Sequence, residues 1–385
     1  MIPEQLCDVI GELSDKVLME ANEARSEKRT KRIKRRRVIY SCATMAASLA
    51  IIIGVTSVWN KPDTSMRQYP ELPKLSCETS DEGYGFEGYM AFDISELVNA
   101  NPWKVELEIT DLPVYKNNVL YDENGIKELI YDAANKLNID RDEVSEIKVN
   151  PYCPGKWDCD MGDIIISADE QGSVQVEYTV NKKIPDEYAF DSESTYDELE
   201  KASKYIEKEY DAIINMKTPN LNINGGDYDI YCAQSYALSY FDKSGDDIEQ
   251  ILNYNLNQTS FVPGDDNTMW FIRYNKPKLT EKMGDYPIIT AKEAEKLLEE
   301  GHYASSAPYE FPGEKYVAKV ELVYRSGNYD KYIMPYYMFY VELPEESENC
   351  ATEVKEGMKC FGVYYVPAVD GRYIINLPTY NGEFN

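Results

Sequence analysis

The sequence predicts an α+β fold: an N-terminal amphipathic helix, one transmembrane helix, then an ectodomain of helix-plus-antiparallel-strand units. Three observations predict it. Residues 38–59 carry no charge and follow a basic collar; the charge balance reverses across them; beyond them, helical stripes and alternating strand patterns follow one another.

The first element is the helix of residues 4–24. Leu6, Val9, Ile10, Leu13, Val17, Leu18 and Ala21 fall on one stripe, with Glu4, Asp8, Glu12 and Asp15 on the other side. So short a helix is marginal alone in water, and the stripe needs a cover. Two covers stand side by side: the inner leaflet or a second copy, and a cytoplasmic protein that docks on residues 4–24. There is no H-x-x-x-C-x-x-C zinc pattern here, and Cys7 reads as a packing residue.

The second element is the stretch 38–59. Its 22 residues make a helix of about 33 Å, enough for a hydrocarbon core of about 30 Å. Nine Lys and Arg between Arg25 and Arg37 precede it, and Trp59 closes it. A cleaved signal fits less well, because 37 residues precede the core and Thr56-Ser57-Val58-Trp59 offers no A-x-A site. A lipoprotein signal would need its cysteine at the far end, and Cys42 is near the start. The expectation is a signal anchor in the cell membrane, with residues 1–37 cytoplasmic and 60–385 extracytoplasmic. Charge agrees with that division: residues 1–60 hold ten Lys/Arg against seven Asp/Glu, and the remainder 30 against 61.

Residues 60–90, rich in Pro, Ser, Glu and Gly, read as a stalk. A first α+β unit is expected over 91–186, with a strand at 103–110, a helix at 125–138 and a strand at 173–180. A second spans 187–280. Thr195 and Glu198 form a capping box for a helix, and strands follow near 228–241, 248–258 and 268–274. A third spans 281–385, with Thr290 and Glu293 opening a helix that Gly301 stops, then strands at 315–325, 332–343 and 358–369. The run at 332–343 is apolar on both faces, so it belongs inside the sheet or under another layer.

The order of elements resembles modules of PepSY type and the outer parts of membrane regulators of Gram-positive histidine kinases. The stretches "NPW" (101–103), "LPVYKN" (112–117), "NGGDYDIY" (224–231), "GDYPIITAKEA" (284–294), "PYEFPGEKYVAKVELVYRSG" (308–327), "MPYYMFYVELP" (334–344) and "GVYYVPAV" (362–369) resemble a group of uncharacterised single-pass membrane proteins of Gram-positive anaerobes. That resemblance implies topology and fold only; for some relatives it also implies a sigma-factor partner.

The net charge of −28 argues against nucleic acid, whose phosphates need a basic surface. His302 is the one histidine, which excludes two-histidine metal sites and leaves Ser305 or Ser306 as its conceivable triad partners. No phosphate-cradling motif is present. The acidic clusters Asp158/Asp160/Asp163, Asp246-Asp247 and Asp265-Asp266 read as solvated turns and do not match a calcium loop. Cys77, Cys153, Cys159, Cys232, Cys350 and Cys360 lie outside the anchor. Cys153 with Cys159 and Cys350 with Cys360 are the nearest pairs, and disulfides and free thiols remain equal alternatives. Of 33 tyrosines, Tyr336, Tyr337, Tyr340, Tyr364 and Tyr365 crowd two strands and read as an aromatic core with its hydroxyls at the rim. No catalytic, metal or cofactor residue is assigned. The function expected is extracytoplasmic binding or sensing, with a regulated cytoplasmic partner; the alternatives are a surface hydrolase on paired carboxylates and a self-assembling structural ectodomain.

Overall fold

The computed structural model describes residues 69–77, 87–104, 108–153, 155–265, 267–327 and 330–380. The chain divides after Pro70, and the described fold is the unit that begins at Glu71. It opens with β1 (Gly88–Ala91) and β2 (Asp111–Lys116), followed by α1 (Glu123–Lys136). Four strands come next: β3 (Ile147–Val149), β4 (Lys156–Asp160), β5 (Ile164–Asp169) and β6 (Ser173–Lys183). Helices α2 (Tyr196–Glu209) and α3 (Asp211–Ile214) lead to the hairpin β7 (Pro219–Tyr228) and β8 (Gln234–Asp242). Then α4 (Asp247–Leu256) precedes β9 (Thr259–Gly264), β10 (Thr268–Asn275) and β11 (Lys282–Pro287). The last segment holds α5 (Ala291–Glu299), β12 (Ala304–Ser305), β13 (Val317–Arg325), β14 (Tyr332–Glu342), α6 (Pro344–Asn349) and β15 (Lys359–Pro367).

These strands make two antiparallel sheets. One runs β3-β4-β5-β6-β10-β9-β8-β7; the other runs β1-β15-β14-β2-β11, with β12 on β15 and β13 on β14. This corrects the predicted fold class. The fold is mostly antiparallel β-sheet, and helix-plus-strand units do not organise it, because β2 lies between β14 and β11, and β1 pairs with β15. A strand's partner is chosen by which apolar faces can be covered together, and order along the chain does not reveal it.

The expectation of a membrane-spanning helix is corrected as well. Among the described residues no helix is long and apolar enough to cross a membrane. The longest, α1 and α2, have 14 residues each, about 21 Å of rise against a hydrocarbon core of about 30 Å. The segments 4–24 and 38–59 lie outside the described residues, so the membrane expectation has no support in the described fold. Part of the expected stalk is packed structure: Leu75 is buried and bridges Ile374, its N–H donating to Tyr373 O at 2.7 Å.

Each sheet has its own core. Ile126, Leu129, Ile130 and Ala133 of α1 and Leu199, Ala202 and Ile206 of α2 pack on Ile166, Val174, Val176 and Ile272 of the eight-stranded sheet. On the other sheet, Ile251 of α4 and Ala294 and Leu298 of α5 cover Leu322, Tyr337, Phe339, Val341 and Tyr364. The helices start where caps place them. Thr195–Glu198, Asp246–Glu249 and Thr290–Glu293 each form a reciprocal capping box, and Gly301, at φ +84°, follows the end of α5.

Two strand expectations are also corrected. Residues 248–258 are mostly α4: the box at Asp246 nucleates a helix, and Ile251 and Leu256 are buried on it. In the expected strand 103–110, residues 103–104 and 108–110 are not strand, and 105–107 lie outside the described residues. Just before it the Asn99 and Asn101 side chains accept from the N–H groups of Asn101 and Trp103, which holds the chain in turns. The pairing starts later, at β2.

Candidate functional site

A cavity of about 450 Å³ lies between the two sheets. It follows from the alternation of β13 and β14. Leu322, Tyr324, Tyr337, Phe339 and Val341 face the core under α4 and α5, which turns Lys319, Glu321, Val323, Met338 and Tyr340 to the opposite face. That second face meets β7, β8 and β9, whose Asn224, Ala237 and Val262 form the far wall. This is why β14 is apolar on both faces: one lies under helices, the other under the second sheet.

The opening arises from a parting of strands. β8 and β9 pair only between Leu238–Tyr240 and Thr259–Phe261, although β8 extends back to Gln234 and β9 on to Gly264. Ser235, Ala237, Val262 and Pro263 line the space where they diverge. Pro263 fits there because that part of β9 pairs only with β10, so the missing N–H interrupts no central ladder.

A third wall is the segment 93–99, held on the edge of β7. Val98 N–H donates to Gly225 O at 2.9 Å, and Gly225 N–H returns to Val98 O at 3.1 Å. The close approach demands glycine beside it. A Cβ on Gly226 would stand 1.9 Å from Glu96 O, at a φ of +103°.

The polar floor is a fixed group. Glu321, only 6% exposed, pairs with Lys319 Nζ at 2.7 Å, and Asn99 Nδ2 donates to both its oxygens at 2.9 and 3.1 Å. Lys319 also donates to Leu97 O at 3.3 Å and sits 5.2 Å from the centre of the Tyr340 ring. Tyr89 packs on Tyr340 with ring centres 5.7 Å apart, and Tyr254 completes the aromatic side. Burial first, then Glu87, Asp227 and Glu321, pushes the Tyr89 phenol up to about 12. Burial and then Glu321 push Tyr254 and Tyr340 up as well. At the rim, burial and the neighbouring Asp229 raise the Asp227 carboxyl above its ordinary value. The site is therefore aromatic and electronegative.

The residues weighed in the sequence lie elsewhere. His302 Nδ1 stands 3.3 Å from Pro378 O. Ser305 Oγ donates to Ala307 O at 2.6 Å and accepts from Ala307 N–H, and Ser306 Oγ is buried with no hydrogen-bond partner; no triad is assembled. Asp160 accepts from Gly162 N–H, Asp158 from Asn150 Nδ2, and Asp246 caps α4, while Asp266 lies outside the described residues. Among the described residues no group of His, Cys, Asp or Glu gathers as a metal-ligand set. Cys350 and Cys360 form a disulfide; Cys77, Cys153 and Cys159 form none, and Cys232 Sγ donates to Val354 O. The tyrosine band is buried, with Tyr337 donating to Ile289 O and Tyr364 to Tyr309 O. Tyr340 is the one of the five that lines the cleft.

Sequence reading missed Tyr89, Asn99, Asp227, Tyr254, Lys319 and Glu321. One signal was available: Lys319 and Glu321 occupy the polar face of β13, beside a strand whose two faces are both apolar. A face covered on β14 is covered on β13 too, so that charge pair had to be partly buried.

No protein-family model matches the chain, and no curated protein is similar to it. Among solved structures, it is similar to an uncharacterized protein from Eubacterium rectale ATCC 33656. The identity is 15%, over 68% of this chain and 85% of that one, with a TM-score of 0.32.

Proposed function

We propose that the unit beginning at Glu71 is a binding module whose ligand occupies the cleft between the sheets. The observation that carries this reading is the cavity itself. At about 450 Å³ it lies within the range of small-molecule sites, about 300–1,000 Å³. Apolar and aromatic walls surround a few polar groups already locked in place, which is the composition that orients a ligand at low entropic cost. Full-length protein titrated with Nile red, an uncharged apolar dye, tests the reading. One dye should bind per chain, and Ala237→Trp, which fills the cavity from β8, should abolish it. Equal binding by both proteins would refute the assignment.

A hydrolase on paired carboxylates is the second reading, favoured by Asp227 and Glu321 lining one cleft with the Asp227 carboxyl raised by burial. Glu321 weakens it, because Lys319 and Asn99 already engage that carboxylate. Nitrophenyl glycoside cleavage that disappears in Asp227→Asn would favour hydrolysis over binding.

A further inference from the structure

We infer that the ligand of this cleft is an organic cation, a protonated amine carried on an apolar body. The inference rests on reading the cleft as a binding site and deepens it. Three carboxylates line the cavity, Asp191, Asp227 and Glu321, and no lysine or arginine is among its lining residues. The three differ in what they already hold. Asp191 accepts from Glu193 N–H and Ser194 Oγ and so serves its own turn. Glu321 is paired with Lys319. Asp227 makes no ion pair among the described residues and stands half-buried at the rim, with Asp229 as a like-charged neighbour. An incoming ammonium would relieve both the burial and the repulsion.

The floor shows the same preference in a group the chain supplies itself. Lys319 places an ammonium between the Glu321 carboxylate and the face of Tyr340, with Tyr89 packed beside that ring. Aromatic faces attract cations through their quadrupole, more strongly where water is excluded. An anionic ligand would meet three acids, and the one cation of the floor, Lys319, is already engaged by Glu321. A neutral ligand would cover the half-buried Asp227 carboxylate without giving it an opposite charge, a desolvation cost that the cation offsets.

Dansylcadaverine, a primary amine on an apolar fluorophore, and its N-acetyl derivative share that fluorophore and linker, and acetylation replaces the charged ammonium with a neutral amide. Both would be titrated into the full-length chain, its Asp227→Asn variant and Ala237→Trp. The amine should bind about tenfold more tightly than the acetylated dye, the ratio given by about 1.4 kcal/mol, and Asp227→Asn should bring that ratio close to one. Circular dichroism of Asp227→Asn, an isosteric change at a half-exposed site, checks that the fold persists. Equal binding of the two dyes, both displaced by Ala237→Trp, would overturn the cation while leaving the cleft as a binding site. Failure of both dyes where Nile red still binds would overturn it too. Failure of all three dyes would remove the binding reading beneath it.

Discussion

Alkaline pH should unfold this protein abruptly. Tyr240, Tyr274, Tyr324, Tyr337, Tyr340 and Tyr364 are buried, and burial is the first cause that pushes each phenol above its ordinary value. In the unfolded chain a phenol ionises near pH 10. With the folded pKa above the unfolded one, this contribution to stability is complete below about pH 10 and is lost as pH rises towards the folded values. Each such group removes about 1.4 kcal/mol per pH unit in that window, so six remove about 8 kcal/mol per unit. A domain is typically stable by only about 5–15 kcal/mol. Unfolding should therefore be complete one to two units above pH 10, roughly pH 11–12. The assay follows the phenolate absorbance band and far-ultraviolet circular dichroism in one titration. Surface tyrosines should ionise first while the fold persists, and the buried ones should then ionise in a second step together with loss of ellipticity. A single phenolate step near pH 10 with native dichroism retained would refute the reasoning.

Three further outcomes follow from local geometry. Gly226→Ala should cost about 2–3 kcal/mol, from a strained positive φ and the clash with Glu96 O, measured by urea denaturation. It should also weaken Nile red binding, because it displaces one wall of the cleft. Joint replacement of Cys350 and Cys360 by Ser, which opens a loop of sequence separation 10, should cost about 2–3 kcal/mol, read as a lower guanidinium midpoint that reductant no longer shifts. Thr290→Ala removes the hydroxyl that accepts from Glu293 N–H at 3.2 Å and should cost about 1 kcal/mol in thermal unfolding, with the cleft unaffected.

Local structure was far more legible than its assembly. The helix stripes, the capping boxes at Thr195 and Thr290 and the alternation of 317–325 are written in residues a few positions apart, and such signals survive without knowledge of the partner. The box at Asp246–Glu249 was equally local; taking 248–258 as a strand overlooked it. β2 was hidden by Pro113, which reads as a break in a strand. It is tolerated because β2 meets β14 only at Tyr115 and Lys116, leaving Pro113 with β11 as its one strand neighbour. The cleft was illegible for a different reason. Its floor draws on Asn99, Glu321 and Tyr340, with Lys319 behind Glu321, and its walls on β7, β8 and β9, so no short window contains its chemistry. Tyr89 and Tyr254 look like any other tyrosines in a chain of 33.

The pairing of β1 with β15 sets a timetable for synthesis. Strands β3 to β6 find their neighbours almost as they leave the ribosome, because each pairs with the next. Gly88–Ala91 must instead wait for Lys359–Gly362, and Asp111–Lys116 for Lys282–Pro287 and Tyr332–Ile333. Closing such long loops is slow, and the waiting edges are adhesive in the meantime. A nascent chain stalled before residue 359 would leave β1 and β12 without their common partner β15, so arrest there should yield aggregates in which the sheet built on β14 lacks that strand.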